Sequence, residues 1–233
     1  MPAGATKAEP VESTMSADGK SGPVNDLITQ FSGPGAAFGS GHSRGGTLPQ
    51  NLGVMRTEDG GKTWQSLSGL GEIDYHDVEV AGDMLVALRV DQADVQVSRD
   101  GGKTFEAQAA PAVARALDIA IDPGNAENWV VGTEQGTFVS TNAGDSWRQR
   151  DTTFGARVTW AAPDKLYSAG LDGKVRLSAD GGRSFEEVGG TIGTGPKDFA
   201  SGPNGELYAY VAGGKIRRST DGGKTWTDLV TLL

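Results

Sequence analysis

Apolar and polar side chains alternate along most of the chain in short runs that end on Gly, Asp, Asn or Pro. From residue 75 the order is YHDVEVAG, DMLVALRV, ADVQVSRD and, after a glycine turn, TFEAQAA. A period of two over such lengths predicts half-buried β-strands rather than helices. The same four-part order returns as ALDIAIDP, NWVVGTE, GTFVSTN, SWRQRD, then as ARVTWAAP, KLYSAG, GKVRLSAD, SFEEVG, and finally as PKDFASGP, ELYAYVA, KIRRSTD, TWTDLV. Each copy predicts a four-stranded antiparallel meander.

The third and fourth strands of each copy are joined by one octapeptide. It reads TEDGGKTW from Thr57, SRDGGKTF from Ser98, STNAGDSW from Ser140, SADGGRSF from Ser178 and STDGGKTW from Ser219, with starts 41, 42, 38 and 41 residues apart. Asp59, Asp100, Asn142, Asp180 and Asp221 are placed to accept backbone N–H groups a few residues on, closing Asx-type turns. Gly61, Gly102, Gly144, Gly182 and Gly223 supply the conformational freedom of a tight hairpin, and an aromatic residue opens the next strand. Four strands in about 40 residues is the period of a β-propeller blade, since one such sheet buries both faces only between two others.

The octapeptides are similar to Asp-boxes, also called BNR repeats. The region 23–233 resembles the Asp-box propellers of the sialidase-like superfamily, in texture the bacterial exo-alpha-sialidase-like and glycosyl-hydrolase-like proteins. That resemblance implies an all-β, five-bladed β-propeller of four-stranded antiparallel blades in a single domain. The expected blades are about 23–70, 71–111, 112–152, 153–191 and 192–233. It implies little about activity, because the box occurs in sialidases, xyloglucan hydrolases, sortilin-type receptors and the propeller that assists photosystem II assembly, as a structural turn.

Composition narrows the partners. With 30 acidic against 21 basic residues the net charge is −9, which repels nucleic acid and anionic membrane surfaces and leaves carbohydrate or protein as ligand, the protein itself a monomer. There is no cysteine, so disulfides and thiolate chemistry are excluded while the compartment stays open. Residues 1–22 hold few large apolar side chains and predict a mobile tail, neither a secretory leader nor a membrane span. A leader further upstream would place the protein outside the cytoplasm.

In a propeller, the loops between second and third strands share one face with the links from blade to blade, and the Asp-boxes lie on the other. Most of these second-to-third loops are short (VDQAD, TEQGT, LDGK, AGGK), but GSGHSRGGTLPQNLG, from Gly39 to Gly53, is long and carries His42 and Arg44. His76 opens the second blade beside Glu72, Asp74, Tyr75 and Asp77. His42, His76, Asp74 and Asp77 are therefore candidate ligands of a divalent cation; the alternative is that both histidines satisfy local backbone. Asp26, Asp77, Asp118 and Asp198, with Thr159, recur on the first strands and would form an acidic funnel, or else cap turns.

Sialidase chemistry, as the resemblance implies it, needs a Tyr–Glu nucleophile and three arginines around a carboxylate. Tyr75 with Glu72, and Arg44, Arg115 and Arg157, are the candidates, although the family's Arg-Ile-Pro element is absent. P-loop, dinucleotide, HExxH and Gly-x-Ser-x-Gly signatures are also missing. The expected function is thus a non-catalytic binding or scaffolding propeller with its site opposite the Asp-boxes. The alternatives are a sialidase-like glycoside hydrolase and an assembly factor that docks a basic protein.

Overall fold

The structure is a computed structural model that describes residues 12–89, 94–111 and 115–231. The chain divides into two compact units, one within Pro10–Ala110 and the other within Pro111–Leu233. The described residues are strands and turns throughout, and no helix among them is long and apolar enough to cross a membrane.

In the second unit, β10 (Ala116–Asp122), β11 (Asn125–Thr133), β12 (Gly136–Ser140) and β13 (Arg148–Asp151) form one antiparallel meander. A second contains β14 (Arg157–Ala162), β15 (Lys165–Ala169), β16 (Lys174–Ser178) and β17 (Glu186–Thr191), and a third β18 (Asp198–Ser201), β19 (Leu207–Val211), β20 (Lys215–Ser219) and β21 (Thr227–Thr231). Alternation delivers the apolar sets of the inner strands to a neighbouring sheet. Ala120, Val130 and Val139 meet Val158, Trp160 and Leu166, while Tyr167, Ala169 and Val175 meet Phe199, Leu207 and Ala209. In the first unit, β6 (Asp77–Ala81), β7 (Met84–Arg89), β8 (Asp94–Ser98) and β9 (Glu106–Ala109) make a fourth four-stranded sheet.

The remaining copy corrects the expectation of five equal blades. Strands β1 (Thr14–Ala17), β2 (Lys20–Gly33), β3 (Ala36–Ser43), β4 (Val54–Thr57) and β5 (Thr63–Ser68) form a closed five-stranded barrel. The all-β, propeller-like arrangement therefore has four four-stranded blades, not five. The cause is the stretch read as a tail. Residues 1–11 lie outside the described residues, but Thr14–Ala17 pairs antiparallel with the start of β2 and parallel with β5, aligning Met15 with Trp64. Asp18 and Gly19, both at positive φ (53° and 73°), make the two-residue reversal between β1 and β2. Met15 is buried with Val24, Leu52, Met55 and Trp64.

Four octapeptides join the third to the fourth strand of a sheet, as expected, the first joins β4 to β5 of the barrel, and all five share one bonding scheme. Ser98 Oγ donates to Asp100 Oδ1 (2.8 Å) and accepts the Gly102 N–H (2.8 Å), while Thr104 donates its N–H (3.0 Å) and hydroxyl (2.7 Å) to the Asp100 carboxylate. In the third box Asn142 keeps the acceptor role toward Ser140 and the Ser146 N–H, and its amide nitrogen donates to Ser146 Oγ. Hydrogen bonds from Thr63 and from Thr225 hold Asp59 and Asp221 down to about 2 from an ordinary 3.8, and similar bonds hold Asp100 and Asp180 well below it.

An acid limb of stability follows. Because the folded carboxylates titrate below their unfolded value, their contribution is full above that value and is lost as pH falls through about 2. The melting temperature is expected to drop between pH ~4 and ~2. Replacing the four box aspartates by Asn, on the precedent of Asn142, should flatten that limb in a melting series; an unchanged slope would place the acid lability elsewhere.

Candidate functional site

His42 lies in β3, not in a loop: its backbone pairs with Asn25 and bridges to Asn51. The long loop is therefore shorter than expected and well anchored, with Ser43 N–H on Gln50 O (3.0 Å), Leu52 N–H on Gly41 O (3.0 Å), and Leu48 and Leu52 buried. Exposed Arg44 is fixed through its N–H, which donates to Pro23 O (3.1 Å).

The link from β5 to β6 brings Asp74 and His76 to the end of β3. Asp74 Oδ1 is 3.3 Å from His42 Nε2, and Oδ2 is 3.2 Å from His76 Nε2. The two histidines thus converge on one carboxylate. Their nitrogens face its two oxygens rather than a shared point, and among the described residues no group of three or more His, Asp or Glu is arranged to hold a metal ion. Asp77, expected as a further ligand, accepts the N–H of Val78 (2.9 Å). Chemically, the trio ties the β5–β6 link to β3.

Tyr75 and Glu72 do not form a nucleophile pair. Tyr75 is only 1% exposed, packs 5.5 Å from Phe105, and its hydroxyl has no hydrogen-bond partner among the described residues. Burial pushes its pKa up to about 12, against the pull of Arg89. Neighbouring Glu72 is exposed and lines an open cleft of 440 Å³ with Ser16, Asp18, Gln65 and Ser68. A tyrosine nucleophile needs a base within reach, and this phenol is turned into the core instead.

In the unit within Pro111–Leu233 the candidate arginines serve the scaffold. Arg157 donates from its guanidinium to the carbonyl of Leu117, and Arg115 lies 3.7 Å from Glu134. The expected acidic funnel is likewise a set of staples. Asp118 accepts the Val158 N–H of the next sheet (3.0 Å), Asp198 accepts the N–H of Phe199 (2.8 Å), and Thr159 donates to Ser201 Oγ (3.0 Å). The side chain of Asp26 lies outside the described ones.

Two residues that sequence reasoning passed over stand out. Among the described residues, the large apolar side chains left in solvent are Phe154, 62% exposed, and Leu171, 50% exposed. They are neighbours. Phe154 lies in the β13–β14 link and Leu171 in the β15–β16 hairpin, and the Leu171 N–H donates to the Phe154 carbonyl (3.1 Å). In these up-and-down meanders, both connections lie at the strand ends away from the Asp-boxes.

The BNR/Asp-box repeat family matches residues 217–228, which span the fifth box. The other four boxes share its bonding scheme. The chain carries Asp-boxes of the BNR type on a propeller-like fold. No curated protein sequence matches it. Among solved structures, a chain of a nidogen/laminin complex superposes with a TM-score of 0.72 at 11% identity, covering 88% of this chain and 80% of that one. A GH74 enzyme of Niastella koreensis superposes at 0.62 with 18% identity, over 93% of this chain and 30% of the enzyme. YCF48 bound to D1 peptide gives 0.56 and 17%, over 86% and 67%. This propeller thus spans less than a third of the GH74 chain, and at such identities the likeness is one of fold.

Proposed function

We propose that this propeller is a non-catalytic binding module whose protein or carbohydrate partner docks on the loops away from the Asp-boxes. The observation that carries the reading is the side-by-side exposure of Phe154 and Leu171 on two such loops. Polar groups expected to bind a ligand are engaged in the scaffold: Asp74 by two imidazoles, Arg157 by a carbonyl, Asp118 by a backbone N–H. Similarly folded chains occur in complexes, YCF48 with a peptide and another in the nidogen/laminin complex, which supports a partner-binding use of the fold.

Arrays of glycans and of proteins, probed with the wild type and with a Phe154→Ser/Leu171→Ser variant, test the reading. Ligands held by the wild type should be lost by the variant and kept by Arg99→Ala, which alters an Asp-box instead. Binding that survives the double substitution would move the site elsewhere. Turnover of an aryl sialoside that is abolished by Tyr75→Phe would replace the reading with the hydrolase.

A further inference from the structure

We propose that the partner is a cationic peptide segment, which lays one large apolar side chain on Phe154 and Leu171 and sets a Lys or Arg beside Asp172. The inference rests on the loop-end docking reading and adds the chemistry of the partner.

The apolar half of the site is held in place before any ligand arrives. A Cβ on Gly155 would come within 2.5 Å of Leu171 Cγ, one on Gly195 within 2.4 Å of Leu171 Cδ2, and one on Gly170 within 2.3 Å of Thr153 Cγ2. Glycine at 155 and 195 therefore lets the two flanking links pack closely on Leu171, and glycine at 170 lets its own hairpin pass close to Thr153. Half of Leu171 is nonetheless exposed, so the ridge is both fixed and uncovered. A preorganised apolar surface loses little freedom on binding, which favours docking over incidental exposure.

The polar half is negative. Asp172, next to Leu171 at the hairpin tip, pairs with Arg176 at 3.0 Å, but its side chain is 42% exposed and that of Arg176 only 13%. Solvent therefore meets the carboxylate, while the guanidinium lies beneath it and also reaches Glu187. At the end of β13, three residues before Phe154, the buried Oδ2 of Asp151 has no hydrogen-bond donor among the described residues. Glu134 and Arg115, on the neighbouring loops, are both exposed and add no clear sign. Lys174, half-exposed in the same hairpin, is itself paired with Glu187 at 2.8 Å, so the outward carboxylate of Asp172 and the Asp151 oxygen without a donor leave the ridge a negative border, and the chain's net charge of −9 draws in the same kind of partner.

Two fluorescent peptides of equal length test this, each with a central Leu, one flanked by Lys and Arg and the other by Glu. By anisotropy, the basic peptide is expected to bind about tenfold or more tightly than its acidic twin, and to weaken as salt rises from ~50 to ~300 mM. Phe154→Ser/Leu171→Ser should abolish binding of the basic peptide. Asp172→Asn, which keeps an acceptor for the Lys174 N–H, should leave binding measurable while narrowing the gap between the twins. Equal affinity for the twins would overturn the cationic chemistry and leave the loop-end site standing. Binding of the basic peptide that is indifferent to the Phe154/Leu171 substitutions would overturn both. If neither peptide binds while the glycan array gives a ligand sensitive to those substitutions, the partner is a carbohydrate and this inference fails alone.

Discussion

Gly182→Ala is expected to cost roughly 3 kcal/mol or more of stability, and Gly181→Ala, one residue earlier in the same Asp-box, only about 1 kcal/mol. Both positions have positive φ, 72° at Gly181 and 83° at Gly182, so each substitution carries the penalty of an L side chain in the left-handed region. Their surroundings differ. Nothing lies within 4 Å of a Cβ on Gly181, whereas one on Gly182 would be 2.7 Å from Val139 Cγ2 and 3.1 Å from Leu166 Cδ2, in the seam between two sheets. Gly102 and Gly223 repeat the crowding, at 3.1 Å from Leu67 Cδ1 and 3.0 Å from Val175 Cγ1. The third box shows the tolerance of the first position, with Ala143 at a φ of 52°. Urea unfolding of the two variants is the measurement, and equal midpoints would mean that the second glycine has no packing role.

That contrast also shows what the sequence could reveal. Five octapeptides fixed where the hairpins lie, and period-two runs between them gave four strands in each of four copies, because the inner strands of each copy have one face on a neighbour. Convergence of His42 with Asp74 and His76 was legible for the same reason, since blade topology sets the end of one second strand beside the link to the next blade. Tyr75 was not, because it sits between two polar residues that contact each other while its own ring faces Phe105. Phe154 and Leu171 left no periodic trace. A lone apolar residue in a loop is exposed or covered according to how closely its neighbours' backbones pass, and here that is decided by Gly155, Gly170 and Gly195.

Met15→Ala is expected to destabilise the protein by about 2–5 kcal/mol, the range for removing a large side chain from a packed core. Residues 12–22 look unstructured because they offer one large apolar residue among Ser, Thr, Ala and Gly, and one residue makes no pattern. The informative signal was local: Asp18-Gly19 is the dipeptide best suited to a two-residue reversal, and it sets β1 against β2. Once the chain turns there, Met15 reaches the cluster of Val24, Leu52, Met55 and Trp64 with 1% of its surface exposed, and β1 covers an edge of β5 that would otherwise stay open. Ser16, exposed on the other side of the same strand, serves as the control, and Ser16→Ala should change stability by less than about 0.5 kcal/mol. Chemical denaturation of both variants separates a core strand from a mobile tail: a tail predicts no change in either, while a strand closing the barrel predicts a large loss in Met15→Ala alone.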